Sequence, residues 1–272
     1  KDNHVIIAMP GPPGEMQQMW SNVVAPQLQD KYCHAIIYSK TLKTFSLSEA
    51  KVGELTRAYL LAQNPTVGIY AKPDGIHLRI TAKAETLSNA RELVEKAAVE
   101  IHGILGNYIW GSDSETLEGI IANLLTINSM NLAVAEAGTG GILANTITNI
   151  AESSKFFKYG TVINRGDLKR DYGINDAIIK QYGVVSEEVA CIIASAVRAK
   201  CDTSFGVGLI GVIESDDSNN KLGTIAIGIA NNTGKRGFKK VYPGTRMQVK
   251  QRAAISALYE LKNILTEETK CT

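Results

Sequence analysis

The 272-residue sequence reads as an α/β protein: a small β-α-β-β-α sandwich followed by a three-layer α/β/α domain with a mixed sheet. Three observations predict this. Apolar runs of strand length alternate with longer stretches whose apolar residues recur at helical spacing. Turn-forming clusters separate them, among them Pro73-Asp74-Gly75 and Gly138-Thr139-Gly140-Gly141. A composition that is 44% hydrophobic and 21% charged supplies a sizeable core and excludes wholesale disorder.

The elements follow in order. Residues 4–9 (HVIIAM) predict a short strand, ended by Pro10-Gly11-Pro12-Pro13-Gly14, and Met16, Met19, Trp20 and Val23 give helical spacing over 15–28. One strand and one helix cannot bury their own apolar faces, so residues 1–32 read as the tail of a further domain or a segment packed on a neighbour. The second unit, 33–107, opens with a strand at 35–38. Ser46 and Glu49 then fit a capping box ahead of helical spacing through Val52, Leu55, Tyr59 and Leu60. Strands at 66–72 and 76–82 flank the turn in which Gly75 can take positive φ. A long helix runs from Leu87 through Val94 and Ile101, with Gly106 as its terminator. Gly103-Ile104-Leu105-Gly106 has the GxxG spacing of an RNA-binding KH loop, yet its position at a helix end makes it a C-cap.

In the third unit, 108–272, the pattern gives helices at 115–126, 142–150, 175–181, 186–200 and 247–265. Strands are expected at 131–135, 159–163, 205–212, 222–230 and 238–242. Alternating strands and helices imply a sheet covered on both faces. Residues 164–170 read as a polar loop that carries Lys169, and Asp216 and Asp217 as a polar hairpin, since no further carboxylates follow at ligand spacing.

Charge and cysteine usage narrow the function classes. With 29 Lys+Arg against 27 Asp+Glu the net charge is +2, too small for general nucleic-acid or membrane binding. No apolar run approaches the roughly 18 residues of a transmembrane helix, and the run at 4–9 has no cleavage site of a signal peptide. Cys33, Cys191, Cys201 and Cys271 form no CxxC pair, and the histidines add no ligand spacing, so no metal site is expected. Reduced thiols and a cytoplasmic location follow, with Cys191 in the core.

Two features could carry chemistry. A strand–GTGG–helix passage lets backbone N–H groups approach an anion, although it lacks the Walker and dinucleotide spacings and a plain tight turn fits equally well. Residues 218–259 contain no Asp or Glu but hold a run of Lys and Arg that includes Lys239, Lys240, Arg246 and Lys250. A solvated basic face accounts for most of it. Arg246 stands apart because it follows Pro243-Gly244-Thr245 at a helix start, where a guanidinium can grip a phosphate in bidentate fashion.

Separated motifs then agree on a family. Met9-Pro10-Gly11-Pro12-Pro13-Gly14-Glu15-Met16, Asn64-Pro65-Thr66-Val67-Gly68-Ile69-Tyr70-Ala71-Lys72 and Tyr108-Ile109-Trp110-Gly111 resemble the competence/damage-inducible CinA family. So do Thr139-Gly140-Gly141, Val185-Ser186-Glu187-Glu188-Val189-Ala190 and Pro243-Gly244-Thr245-Arg246, and the resemblance runs from about residue 7 to 265. It implies that 1–32 is the C-terminal remnant of a molybdopterin-binding-like domain, 33–107 a KH-like domain and 108–272 a nicotinamide-nucleotide amidase-like domain. The family's C-terminal domain, where active, hydrolyses the carboxamide of nicotinamide mononucleotide to nicotinate mononucleotide and ammonia. Its N-terminal domain is a metal-dependent ADP-ribose pyrophosphatase, an activity not expected of these residues by themselves. A homodimer is implied as well. No cofactor is expected for the C-terminal domain, and neither nucleic acid nor membrane is expected as a partner.

Residue by residue the carry-over is uneven. The family's E-S-x-T-G-G, whose serine is the proposed nucleophile, reads here Glu136-Ala137-Gly138-Thr139-Gly140-Gly141. Its Y-S-N-E-A-K reads Asn164-Arg165-Gly166-Asp167-Leu168-Lys169, which keeps only the lysine, and its T-G-I-A-G-P reads Ile210-Gly211-Val212-Ile213-Glu214-Ser215. The resemblance therefore implies Lys169 and Thr139 as what is left of the catalytic set, and Glu136, Gly140, Gly141 and Arg246 as the substrate-binding set. Two expectations follow: a weakened or inactive amidase of pyridine-nucleotide metabolism, or a non-catalytic nucleotide-binding or oligomerisation scaffold.

Overall fold

The computed structural model describes residues 5–32, 35–211 and 221–271. The chain divides into two compact units. The first takes in Lys1–Leu42, Leu47–Tyr70 and His77–Asn107, and the second takes in Lys43–Ser46, Ala71–Ile76 and Tyr108–Thr272.

The strand expected at 4–9 does not form over the described residues 5–9. A strand needs a neighbour for its backbone groups, and no described strand pairs with this run, which leaves Ile6 95% exposed. The helix that follows starts with Pro13 at a position where its missing N–H is harmless. It comprises α1 (Pro13–Met19), a wide π-helical turn (Trp20–Val24) and α2 (Ala25–Tyr32). Pro26 explains the wide turn: it cannot donate to the carbonyl of Asn22, and its ring crowds that carbonyl.

The first unit continues through β1 (Ile36–Thr44), α3 (Glu49–Leu55), α4 (Arg57–Leu60), β2 (Thr66–Lys72), β3 (Gly75–Ala84) and α5 (Leu87–Leu105). β3 buries Ile76, Leu78, Ile80 and Ala82 at the two-residue period of a half-covered sheet. α5 buries Ala90, Val94, Ala97, Ile101 and Leu105 along one stripe and ends at Gly106, φ +51°. The cap of α3 is Ser48, not the expected Ser46: its Oγ accepts from Lys51 N at 3.2 Å. Ser46 sits at φ +68°, whereas an N-cap residue must be extended.

The second unit runs β4 (Ile109–Ser112), α6 (Leu117–Ile127), β5 (Leu132–Ala137), α7 (Ile142–Thr148), β6 (Phe157–Val162), α8 (Arg165–Tyr172), α9 (Asp176–Tyr182) and α10 (Glu187–Cys201). It ends with β7 (Phe205–Gly211), β8 (Thr224–Ala230), β9 (Lys235–Val241) and α11 (Arg246–Cys271). The described strands form two sheets, ordered β2-β3-β1-β4 and β6-β5-β7-β8-β9. In the larger sheet β5 is parallel to β6 and β7, while β8 is antiparallel to β7 and β9, which is the mixed sheet expected.

Both faces of this sheet are covered. Leu132, Val134, Val207 and Leu209 join α6, α7 and α11 residues in one core, and Ala133, Ala135, Ala137 and Ile210 join α8, α9 and α10 residues in the other. Small residues let α10 lie close: a Cβ on Gly208 would come 2.3 Å from the Ala190 carbonyl oxygen, and one on Gly228 2.2 Å. The expected polar loop at 164–170 is instead the start of α8. The hairpin expected around Asp216 lies outside the described residues.

Candidate functional site

The carboxyl ends of β5, β6 and β7 lie side by side, and the chain leaves them in opposite directions. After β5 it enters α7 over one core; after β6 it enters α8 over the other. Such a divergence opens a crevice beyond the strand ends. The register places Glu136 beside Val162 of β6, and Ala137 beside Ile210 of β7. Two of the positions where the sequence departs from the family pattern are therefore neighbours across one strand pair.

Glu136 is fully buried and its carboxylate accepts three hydrogen bonds. Oε2 accepts from the Thr139 hydroxyl at 2.5 Å and from Leu143 N at 3.2 Å, and Oε1 accepts from Ala144 N at 3.0 Å. Carboxyl oxygens are favoured acceptors at the first turn of a helix, and here the chain supplies its own to α7. The loop can wrap around that carboxylate because Gly138, Gly140 and Gly141 take φ of +89°, +74° and +93°. Thr139 is 2% exposed, with its hydroxyl committed to Glu136.

Asn164 and Lys169 lie at the start of α8 and on it. Asn164 caps α8: its Oδ1 accepts from Gly166 N at 2.9 Å and Asp167 N at 3.2 Å, and Asp167 Oδ2 accepts from Asn164 N at 2.8 Å. Lys169 pairs with Asp176 at 3.5 Å, with side chains 68% and 89% exposed. Farther along α8, the Tyr172 phenol is pushed up to about 12 by burial first and then by nearby acidic groups, Tyr159 and Asp171 among them. Arg170, between Asp167 and Asp171, is held above the ordinary guanidinium value.

Arg246 is the exposed first residue of α11. One turn on, Lys250 brings its Nζ to 3.4 Å from the point a Cβ on Gly140 would occupy. The sequence left Lys250 in a solvated face; the readable signal was its spacing of four from Arg246. The structure thus gathers Glu136, Ala137, Thr139, Gly140, Gly141 and Lys250 around one loop.

At the opposite end of the sheet a cavity of about 430 Å³ is lined by Asn231, Arg236, Ile264 and Glu267. Arg236 and Glu267 already pair there at 2.6 Å. Among the described residues no group of three His, Cys, Asp or Glu is placed to hold a metal ion, and no helix is long and apolar enough to cross a membrane.

Comparisons with known proteins agree on one family. The model of the CinA C-terminal domain matches residues 114–265, and that of the damage-inducible protein CinA KH domain matches 39–111. A competence-damage inducible relative from Thermoanaerobacter pseudethanolicus is 34% identical over 261 residues, which is 95% of this chain but 63% of its own length. A CinA-like protein from Kosmotoga olearia is 34% identical over 260 residues, 93% of this chain and 62% of its own length. The chain thus spans a little under two thirds of these relatives. A solved competence or damage-inducible protein from Enterobacter asburiae superposes with a TM-score of 0.53 at 21% identity, covering 56% of this chain and 99% of its own. That likeness concerns the fold.

Proposed function

The chain belongs to the CinA family, and on that premise we propose that its C-terminal unit binds a nicotinamide mononucleotide-like pyridine nucleotide beyond the ends of β5, β6 and β7, while hydrolysing its carboxamide slowly or not at all. The observation that carries this reading is Ala137. It ends β5 at the position where the family pattern has its serine, and its buried methyl group cannot attack a carbonyl.

Amide hydrolysis through a covalent intermediate needs a nucleophile, a base beside it and a group that orients the base. Lys169 has no hydroxyl at 137 to deprotonate and instead shares the surface with Asp176. Loss of the nucleophile from a working constellation costs a factor on the order of 10⁶ in kcat. What supports retained binding is the glycine loop with its cationic neighbours.

One geometric feature favours a second reading. Thr139 Oγ1 and Glu136 Oε2, 2.5 Å apart, have the spacing of a nucleophile and its base. Against it, Glu136 is stabilised as an acceptor by two N–H groups, and Thr139 is shielded from any substrate carbonyl.

The test is ammonia release from nicotinamide mononucleotide, with calorimetric binding on the same sample. We expect binding without turnover in the natural chain, and measurable release after Ala137→Ser. Turnover by the natural chain that vanishes in Thr139→Val would establish the second reading. Absence of binding would leave only a scaffold role. A cytoplasmic homodimer accompanies the proposal, and sedimentation velocity tests its dimeric part.

A further inference from the structure

We propose that the crevice beyond β5, β6 and β7 prefers a pyridine nucleotide whose ring carries no carboxamide, and that Ala137 and Ile210 set this preference. The inference rests on the proposed pyridine-nucleotide reading and adds the chemistry of the ring that the site selects.

The polar side chains at these strand ends are committed to the protein itself. The fully buried Glu136 carboxylate accepts from Thr139 Oγ1, Leu143 N and Ala144 N. Thr139 is 2% exposed and donates to Glu136. Asn164 Oδ1 accepts from Gly166 N and Asp167 N, and the Asp167 carboxylate accepts from Asn164 N and from Arg170.

What the strands present beyond these groups is hydrocarbon. Ala137 and Ile210 are register partners on β5 and β7, and both belong to the core on the side of α8, α9 and α10. They therefore share one face of the sheet. On β6, Val162 is 56% exposed, with Cγ2 3.5 Å from the point a Cβ on Gly141 would occupy. The family pattern has a serine at 137 and a threonine at 210, and each hydroxyl could both donate and accept. A methyl and a sec-butyl group do neither. Because the two positions adjoin across one strand pair, both losses remove polarity from the same spot.

A ring carboxamide brings one carbonyl acceptor and an NH₂ group with two donors, all hydrogen-bonded in water. On the proposed reading this amide lies against position 137, where a serine would attack it. There it gives up water and, among the described residues, meets no uncommitted side-chain acceptor at the strand ends. Burying an amide without its hydrogen bonds is unfavourable. A ring with hydrogen or a small alkyl group in that place loses nothing and gains apolar contact. The competing account makes Ile210, 3% exposed, a residue of the core with no bearing on the ligand.

The test uses two ligands: nicotinamide mononucleotide and its analogue without the carboxamide, pyridinium ribose 5′-phosphate. Both are titrated by calorimetry into the full chain and into Ala137→Ser, Ile210→Thr and the double variant, with each protein's thermal midpoint measured without ligand. We expect the natural chain to bind the carboxamide-free nucleotide about tenfold more tightly, the modest discrimination an apolar pocket can reach. The double variant should bind nicotinamide mononucleotide the more tightly of the two. Equal affinities in the natural chain, or a preference for nicotinamide mononucleotide, would overturn the inference and leave the pyridine-nucleotide reading standing. A preference that persists unchanged in every variant would overturn the assignment to Ala137 and Ile210. Binding of neither nucleotide would sink the pyridine-nucleotide reading and this inference with it. The comparison on the natural chain needs no substitution, so it decides even if Ile210→Thr fails to fold.

Discussion

The loops that follow β5 and β6 leave the same edge of the same sheet, and both surround a residue that departs from the family pattern. They use their polar groups in opposite ways. The β5 loop is folded around a buried carboxylate, so that Glu136 holds Thr139, Leu143 and Ala144 from inside. The β6 loop faces water, and its Asn164 and Asp167 bond each other's backbone at the start of α8. The same class of contact, a side-chain oxygen on helix N–H groups, is a keystone in the first loop and a trim in the second. Burial makes the difference: a donor left unsatisfied beneath the surface loses its hydrogen bond outright, whereas an exposed one turns to water.

The comparison breaks most readily at Glu136. Glu136→Ala leaves a hydroxyl and two N–H groups without their acceptor, so stability should fall by about 3 kcal/mol, roughly 1 kcal/mol for each donor. Urea unfolding measures this, and a loss under 1 kcal/mol would mean that water or a neighbour takes over the carboxylate's place.

A smaller effect belongs to the β6 side and appears only in alkali. Tyr172 is raised to about 12 in the folded chain, against an ordinary tyrosine near 10. Below pH 10 the phenol is protonated folded or unfolded. Between 10 and 12 the unfolded chain loses that proton and the folded chain does not, so stability declines as pH rises through this window. Two units correspond to about 2–3 kcal/mol at the top of it. Tyr172→Phe should lack this share of the decline. Parallel pH profiles for the two proteins would show that α8 does not shield the phenol.

Smaller again is the cap itself. Asn164→Ala removes the acceptor for Gly166 N and Asp167 N, at about 1 kcal/mol. Hydrogen exchange should quicken in α8 while α7 keeps its protection. Equal quickening in both helices would deny that the two loops are independent.

How much of this was legible follows from where the signals sit. The sheet and its covering helices were readable because apolar periodicity runs through β5, β7, β8 and α10. The glycine loop was readable from composition. The role of Glu136 was not, since a carboxylate ends an apolar strand pattern on paper, and the expected strand stops at 135 where β5 reaches Ala137. Among the described side chains of α8 only Leu168 is fully buried, so no apolar stripe marks the helix in the sequence; the Asn164-x-x-Asp167 spacing alone announces it. Residues 5–9 erred the other way, with strand-like composition and no described strand to pair with. Lys250 was visible as a charge but not as a neighbour of Gly140, since about 110 residues of sequence separate them.

The smallest stability effect is assigned to the lysine that the β6 loop keeps from the family pattern. Lys169 and Asp176 are mostly exposed and 3.5 Å apart, so Lys169→Ala should shift unfolding by less than about 0.5 kcal/mol. That modesty is useful, because it leaves the chemistry readable. On the proposed reading an Ala137→Ser background gives that lysine a hydroxyl to deprotonate, and removing a general base lowers rates by about 10²–10⁴-fold. Lys169→Ala should therefore leave unfolding nearly unchanged while abolishing whatever ammonia release the serine restored. If the release survives, Lys169 is a surface residue in function as well as in position, and the base for the restored serine must be sought elsewhere.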